Sequence, residues 1–108
     1  MNDRRTVIGE RVLKRIDGGS DVTVKLFLPV PDHPGGFRCH YQICGIGEDK
    51  VRYAGGVDAI QAIQIAMQLI GADLYIRHKD VKLVFGDVID DGNPEIYGDP
   101  YDLGFPRP

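Results

Sequence analysis

The sequence predicts an α+β fold: an antiparallel meander sheet of four to five strands, one long helix packed on one face, and an ordered, acidic, Gly/Pro-rich C-terminal tail. Three observations carry this. From Val22 to Tyr53 apolar and polar residues alternate in short runs, the period-2 signature of strands buried on one face. Turn signals (Asp17-Gly18-Gly19, Pro34-Gly35-Gly36, Gly45-Ile46-Gly47) separate those runs closely enough for successive strands to pair antiparallel. Behind Gly55-Gly56-Val57-Asp58, the run from Ala59 to Ala72 reads as one helix without a single charge.

The 108 residues make a single domain, with the sheet over 5–54, the helix over 58–76, an extra strand over 81–86 and a docked tail over 87–108. Arg5 to Ile16 forms a strand of ambiguous parity, closed by the Asp17-Gly18-Gly19 hairpin signal. The second strand sends Val22, Val24, Leu26 and Leu28 inward and Thr23, Lys25 and Phe27 outward. Prolines 29, 31 and 34 end it. The third places Phe37, Cys39, Tyr41 and Ile43 inward and Arg38, His40, Gln42 and Cys44 outward; the fourth, over 50–53, turns Val51 and Tyr53 inward.

Asp58 is the expected N-cap, with Gln61 completing a capping box and Val57 stapled onto Ala62. The helix passes through Gly71, which costs about 1 kcal/mol relative to alanine. On a helical wheel Ile60, Ile63, Met67, Ile70 and Leu74 make the core stripe, flanked by Ala59 and Ala66. Beyond it, Val81, Leu83 and Phe85 alternate as an added strand. The tail holds Ile89, Ile96, Tyr97, Tyr101, Leu103 and Phe105, too apolar a set for a typical disordered segment.

The net charge of −3 is unevenly spread: residues 1–86 carry 12 Lys/Arg against 10 Asp/Glu, whereas 87–108 set Arg107 alone against six acids. No apolar run is expected to reach the roughly 20 residues of a membrane span. With no signal-peptide core at the N-terminus, the expected compartment is cytoplasmic. Cys39 and Cys44 have opposite strand parity, which points to reduced thiols and not a disulfide.

Two surfaces stand out. Gln61, Gln64, Ile65, Gln68, Leu69 and Tyr75 form a neutral helix face that resembles an interface more than an open surface. A second copy of the chain, in a homodimer, or the chain's own tail would cover it. The outward sheet face gathers Lys25, Phe27, Arg38, His40 and Arg52 without an acid, a candidate anion- or nucleic-acid-binding surface. The domain as a whole is not basic, so nucleic acid is the lesser reading.

Catalytic constellations are not apparent. His33, His40 and His78 are scattered, Ser20 is the sole serine, and Cys44 beside His40 is the one weak nucleophile setting. The Cys and His spacing does not match a zinc site, and Asp90-Asp91-Gly92-Asn93-Pro94-Glu95 lacks the alternation of a calcium loop. The expectation is therefore a non-enzymatic interaction protein without metal or cofactor.

The strand Phe37-Arg38-Cys39-His40-Tyr41-Gln42-Ile43-Cys44-Gly45, the helix entry Gly56-Val57-Asp58-Ala59-Ile60-Gln61-Ala62-Ile63-Gln64-Ile65-Ala66 and the closing Asp102-Leu103-Gly104-Phe105-Pro106 together resemble a family of small bacterial proteins classed as a domain of unknown function. That resemblance implies a bacterial source and a tail integral to the domain. It brings no activity, cofactor or catalytic residue.

Overall fold

In the computed structural model, residues 5–32, 34–85 and 103–107 are described. Their strands are β1 (Val7–Arg15), β2 (Val22–Phe27), β3 (Val30–Pro31), β4 (Phe37–Cys44), β5 (Val51–Gly56) and β6 (Leu83–Phe85), with the helix α1 (Ala59–Ala72) between β5 and β6. All pairings are antiparallel, and the long strands lie in the order β5-β4-β2-β1-β6. The two-residue β3 also pairs with the start of β4. Since Phe37 and Arg38 already pair with Gly56 and Gly55 on one edge of β4, β3 must share the other edge with β2. The expected meander is present, and the expected extra strand closes onto β1 through Leu13↔Phe85 and Arg15↔Leu83.

The turns follow from their residues. Gly18, at φ +86°, makes the β1–β2 turn, while Asp17 accepts from Gly19 N–H at 2.9 Å and pairs with Arg15. After β4, Gly45 sits at φ +99° and its N–H donates to the Asp49 carboxylate at 3.1 Å. That turn also tucks Ile46 into the core, which the alternation pattern did not signal.

Helix α1 packs across β4 and β5. Asp58 caps it, accepting from Gln61 N–H at 2.8 Å, and the Gln61 amide oxygen accepts from Val57 N–H at 2.7 Å. Val57 is 80% exposed, so the expected staple onto Ala62 does not form. After Ala72 the helix widens into a π turn, Asp73–Arg77. Ala59–Arg77 is long and apolar enough, by length and composition, to span a membrane, contrary to the expected absence of such a run. Here its buried side enters the core through Ala62, Ala66, Ile70 and Leu74, against Cys39, Tyr41, Ile43 and Ala54.

The buried stripe is rotated from the expected one. Ala62 and Ala66 are fully buried, whereas Ile60 is 68% exposed. Two small residues let the helix lie close on the sheet, and Gly56 completes that seat: a Cβ there would meet the Ala62 backbone.

Of the tail expected over 87–108, only 103–107 is described, and the expectations for Ile89, Ile96, Tyr97 and Tyr101 lie outside the described residues. Leu103 and Phe105 are buried in the same core as α1. The segment docks through its main chain. Tyr75 Oη accepts from Leu103 N–H at 2.7 Å, and Arg11 donates to Leu103 O at 2.9 Å. Pro106 O lies against Gly71, where any Cβ would collide with it. The glycine that weakens the helix is the seat of the C-terminal segment.

Candidate interaction surfaces

Strand parity decides which predicted residues meet. In β5, Tyr41 pairs with Arg52 and Cys39 with Ala54, while His40 pairs with Tyr53 and Gln42 with Val51. Cys39 and Tyr41 face the helix, so Arg52 and Ala54 do as well. The expected parity of the fourth strand is therefore reversed: Tyr53, 51% exposed, lies on the open face and Arg52 leaves it. Ala54 and Gly56, not the larger Val51 and Tyr53, fit beneath the close-packed start of α1.

Phe27 departs too. It is buried to 7% exposure while Leu28 is 49% exposed, the opposite of the expected pattern. Phe27 pairs with Val7 across a β-bulge that ends at Gly9, and a bulge twists the pair enough to break simple alternation. Lys25, Arg38 and His40 remain together on the outer sheet face. Arg38 is not free to meet an anion, since its Nε pairs with Asp32 at 3.0 Å and its guanidinium lies 4.3 Å from the centroid of Tyr53. That contact with Asp32 holds the Arg38 pKa above its usual value. His40 leans on the same ring at 5.6 Å. On β1, toward the opposite end of the strands from Arg38, Lys14 pairs with Asp21 at 3.2 Å. Among the described residues the outer face mixes these paired charges and Lys25 with exposed Tyr53 and, on β1, Val12 at 44% exposure.

Where the fourth strand's Arg52 does go is the cleft beneath the π turn. Tyr41, Arg52, Asp73, Arg77 and His78 line it, with Glu48 of the β4–β5 turn. Burial pushes the Tyr41 phenol above its usual pKa; the Asp73 carboxylate adds to that, and Arg52 and Arg77 pull it back. Both arginines face an acid, Arg52 with Glu48 at 3.6 Å and Arg77 with Asp73 at 3.4 Å. Among the described residues no group of His, Cys, Asp and Glu could hold a metal ion. Cys39 and Cys44 are both free thiols.

The neutral helix face divides. Gln61, Gln64 and Gln68 are exposed, Leu69 is 41% exposed, and Ile65 is half-buried against the core. Tyr75 belongs elsewhere: it packs on the core, holds Leu103 and carries Arg107 over its ring at 4.7 Å. The helical wheel puts Ile60 in the core stripe, yet it joins the exposed set with Val57 and Ile76, the latter 57% exposed. The signal that could have found it is the alanine pair 62/66, whose close packing draws the stripe away from Ile60.

An open antiparallel sheet, one helix on one face and a short segment docked beside that helix define an α+β domain with its open surfaces on the sheet and on the outward side of α1. A family model matches residues 9–94, and the chain belongs to that family, Domain of unknown function (DUF6968). The docked segment 103–107 lies beyond the matched range. No curated protein and no solved structure matches the chain.

Proposed function

We propose that this is a non-enzymatic interaction protein of the bacterial cytoplasm that pairs with a second copy through the outward side of α1. The observation that carries the reading is the surface of that helix: Val57, Ile60, Gln64, Gln68 and Leu69 are exposed in succession with no charge between Asp58 and Asp73. A solvated helix normally turns Lys and Glu to water. Contiguous exposed apolar area on a small domain marks an interaction site. Because a two-fold contact sets the same patch against itself, like charges would repel there, whereas glutamine amides both donate and accept. The docked segment meets α1 at Gly71 and the following turn at Tyr75, and Gln61, Gln64 and Gln68 remain exposed. The non-enzymatic part of the reading is supported by the cleft under the π turn, whose arginines are spent on Glu48 and Asp73. An anion-binding role for the outer sheet face has less support, with Arg52 on the other side and Arg38 and Lys14 paired to acids.

Light scattering coupled to size exclusion tests the pairing. The native chain is expected at twice its 12.0 kDa mass. Gln64→Glu combined with Gln68→Glu, both on exposed side chains, is expected to give the monomer with unchanged circular dichroism. A native chain that stays monomeric at high concentration sinks the proposal.

A further inference from the structure

Arg11 holds a position that its role as a tail anchor does not account for. Its guanidinium lies 4.1 Å from the Phe85 ring centroid and 4.9 Å from that of Phe105, half-buried between the two. It donates to Leu103 O, and it makes no ion pair with any acid among the described residues. A cation withdrawn from water normally finds a counter-charge. Ring faces supply part of that, but the guanidinium keeps further N–H donors.

Beside it is a cleft of about 200 Å³ whose walls include Val24, Leu26, Met67, Ile70 and Phe105 as well as Arg11. An apolar cavity of about 150 Å³ is enough for a benzene ring. Gly9 supplies another part of the wall, and nothing lies within 4 Å of where its Cβ would be. Its φ is not positive, so the glycine is not there to permit an unusual backbone. It follows the bulge in β1 and pairs with Leu26. Bulges and in-strand glycines recur where a ligand approaches the backbone. Glu10 also borders the cleft, but it pairs with Lys25, one residue out of step with Arg11 and Val24, and therefore points to the opposite face of the sheet.

We propose that this cleft is a binding site for a small amphipathic carboxylate, with the apolar body against Met67, Ile70 and Phe105 and the carboxylate on Arg11. The site is independent of the pairing surface on α1, since Gln64 and Gln68 take no part in it. Octanoate is the probe, titrated into the full-length ¹⁵N-labelled chain and followed by NMR. Saturable shifts are expected at Gly9, Met67 and Phe105. Octanol, which has the same chain without the charge, should bind at least about tenfold more weakly, the difference a charge-assisted hydrogen bond makes. Arg11→Met should weaken octanoate by a similar factor. Because that variant also loses a tail anchor, Gly9→Leu provides the second arm: it fills the open space while keeping the Arg11 guanidinium in the chain and should abolish binding while the fold is retained. Absence of saturable shifts, equal binding of octanol and octanoate, or full affinity in Gly9→Leu would each overturn the proposal.

Discussion

Gly71→Ala is the substitution for which local and tertiary arguments predict opposite signs. Alanine in a helix interior is better than glycine by about 1 kcal/mol, so α1 considered alone should gain stability. The new Cβ, however, occupies the space of Pro106 O. The helix cannot easily move away, because Ala62, Ala66 and Ile70 are fully buried against the sheet. The C-terminal segment must lift instead, drawing Phe105, 9% exposed, out of the core. Exposing a buried phenylalanine side chain costs about 1.5–3 kcal/mol. The net effect is a destabilisation of about 1 kcal/mol, or a fall in Tm of roughly 4 °C for a domain of this size. Thermal unfolding of four chains completes the test: native, Gly71→Ala, Phe105→Ala and the double variant. With Phe105 truncated there is little left to displace, so Gly71→Ala should become neutral or stabilising in that background. If Gly71→Ala stabilises the otherwise native chain, the docked segment contributes nothing at this position.

The remaining predictions concern the cap and the thiols. Asp58→Ala removes the acceptor for Gln61 N–H and should cost about 1 kcal/mol in chemical denaturation, with no change in the slope against denaturant. Burial raises the pKa of the Cys39 thiol, so at a given pH it holds less thiolate than an ordinary cysteine. In native protein at about pH 8, near the ordinary thiol pKa, a thiol reagent should modify the half-buried Cys44 first and reach Cys39 only on unfolding. Equal rates at both sites would mean that the sheet opens on the reagent's timescale.

What the sequence made legible was the part governed by local period and cap chemistry. The meander, the hairpin at Gly18, the cap at Asp58 and the added strand over 83–85 all follow from alternation and turn residues. What it hid depends on how close two elements come. Counting alternation through β5 favoured Val51 and Tyr53 as the buried pair, being the larger apolar residues. The helix entry lies so near that only Ala54 and glycine fit there, and the parity inverted. The same closeness at Ala62 and Ala66 turned Ile60 outward. Phe27 went astray for a different reason, a bulge in its neighbour strand, which leaves no mark in the sequence of β2 itself. The anion-face reading lost Arg52 and Phe27 to these two effects.

The helix with no charge on it proves to have one neutral face whose two ends have different causes. At its C-terminal end Gly71 and Tyr75 are neutral where a segment of the same chain rests on them, and a charge there would sit beneath Leu103 and Pro106. In the earlier turns Ile60, Gln64 and Gln68 are exposed. Intramolecular docking therefore accounts for roughly the last turn and a half of the neutral surface, by the 3.6-residue period. The earlier turns need a second explanation, and the proposed contact with another copy supplies it. The two causes separate experimentally: Gln64→Glu with Gln68→Glu should halve the mass and abolish the dependence of Tm on protein concentration, whereas Gly71→Ala should lower Tm at every concentration and leave the oligomeric state alone. A Gly71→Ala chain that also became monomeric would mean that docking of the C-terminal segment and pairing of two copies depend on each other.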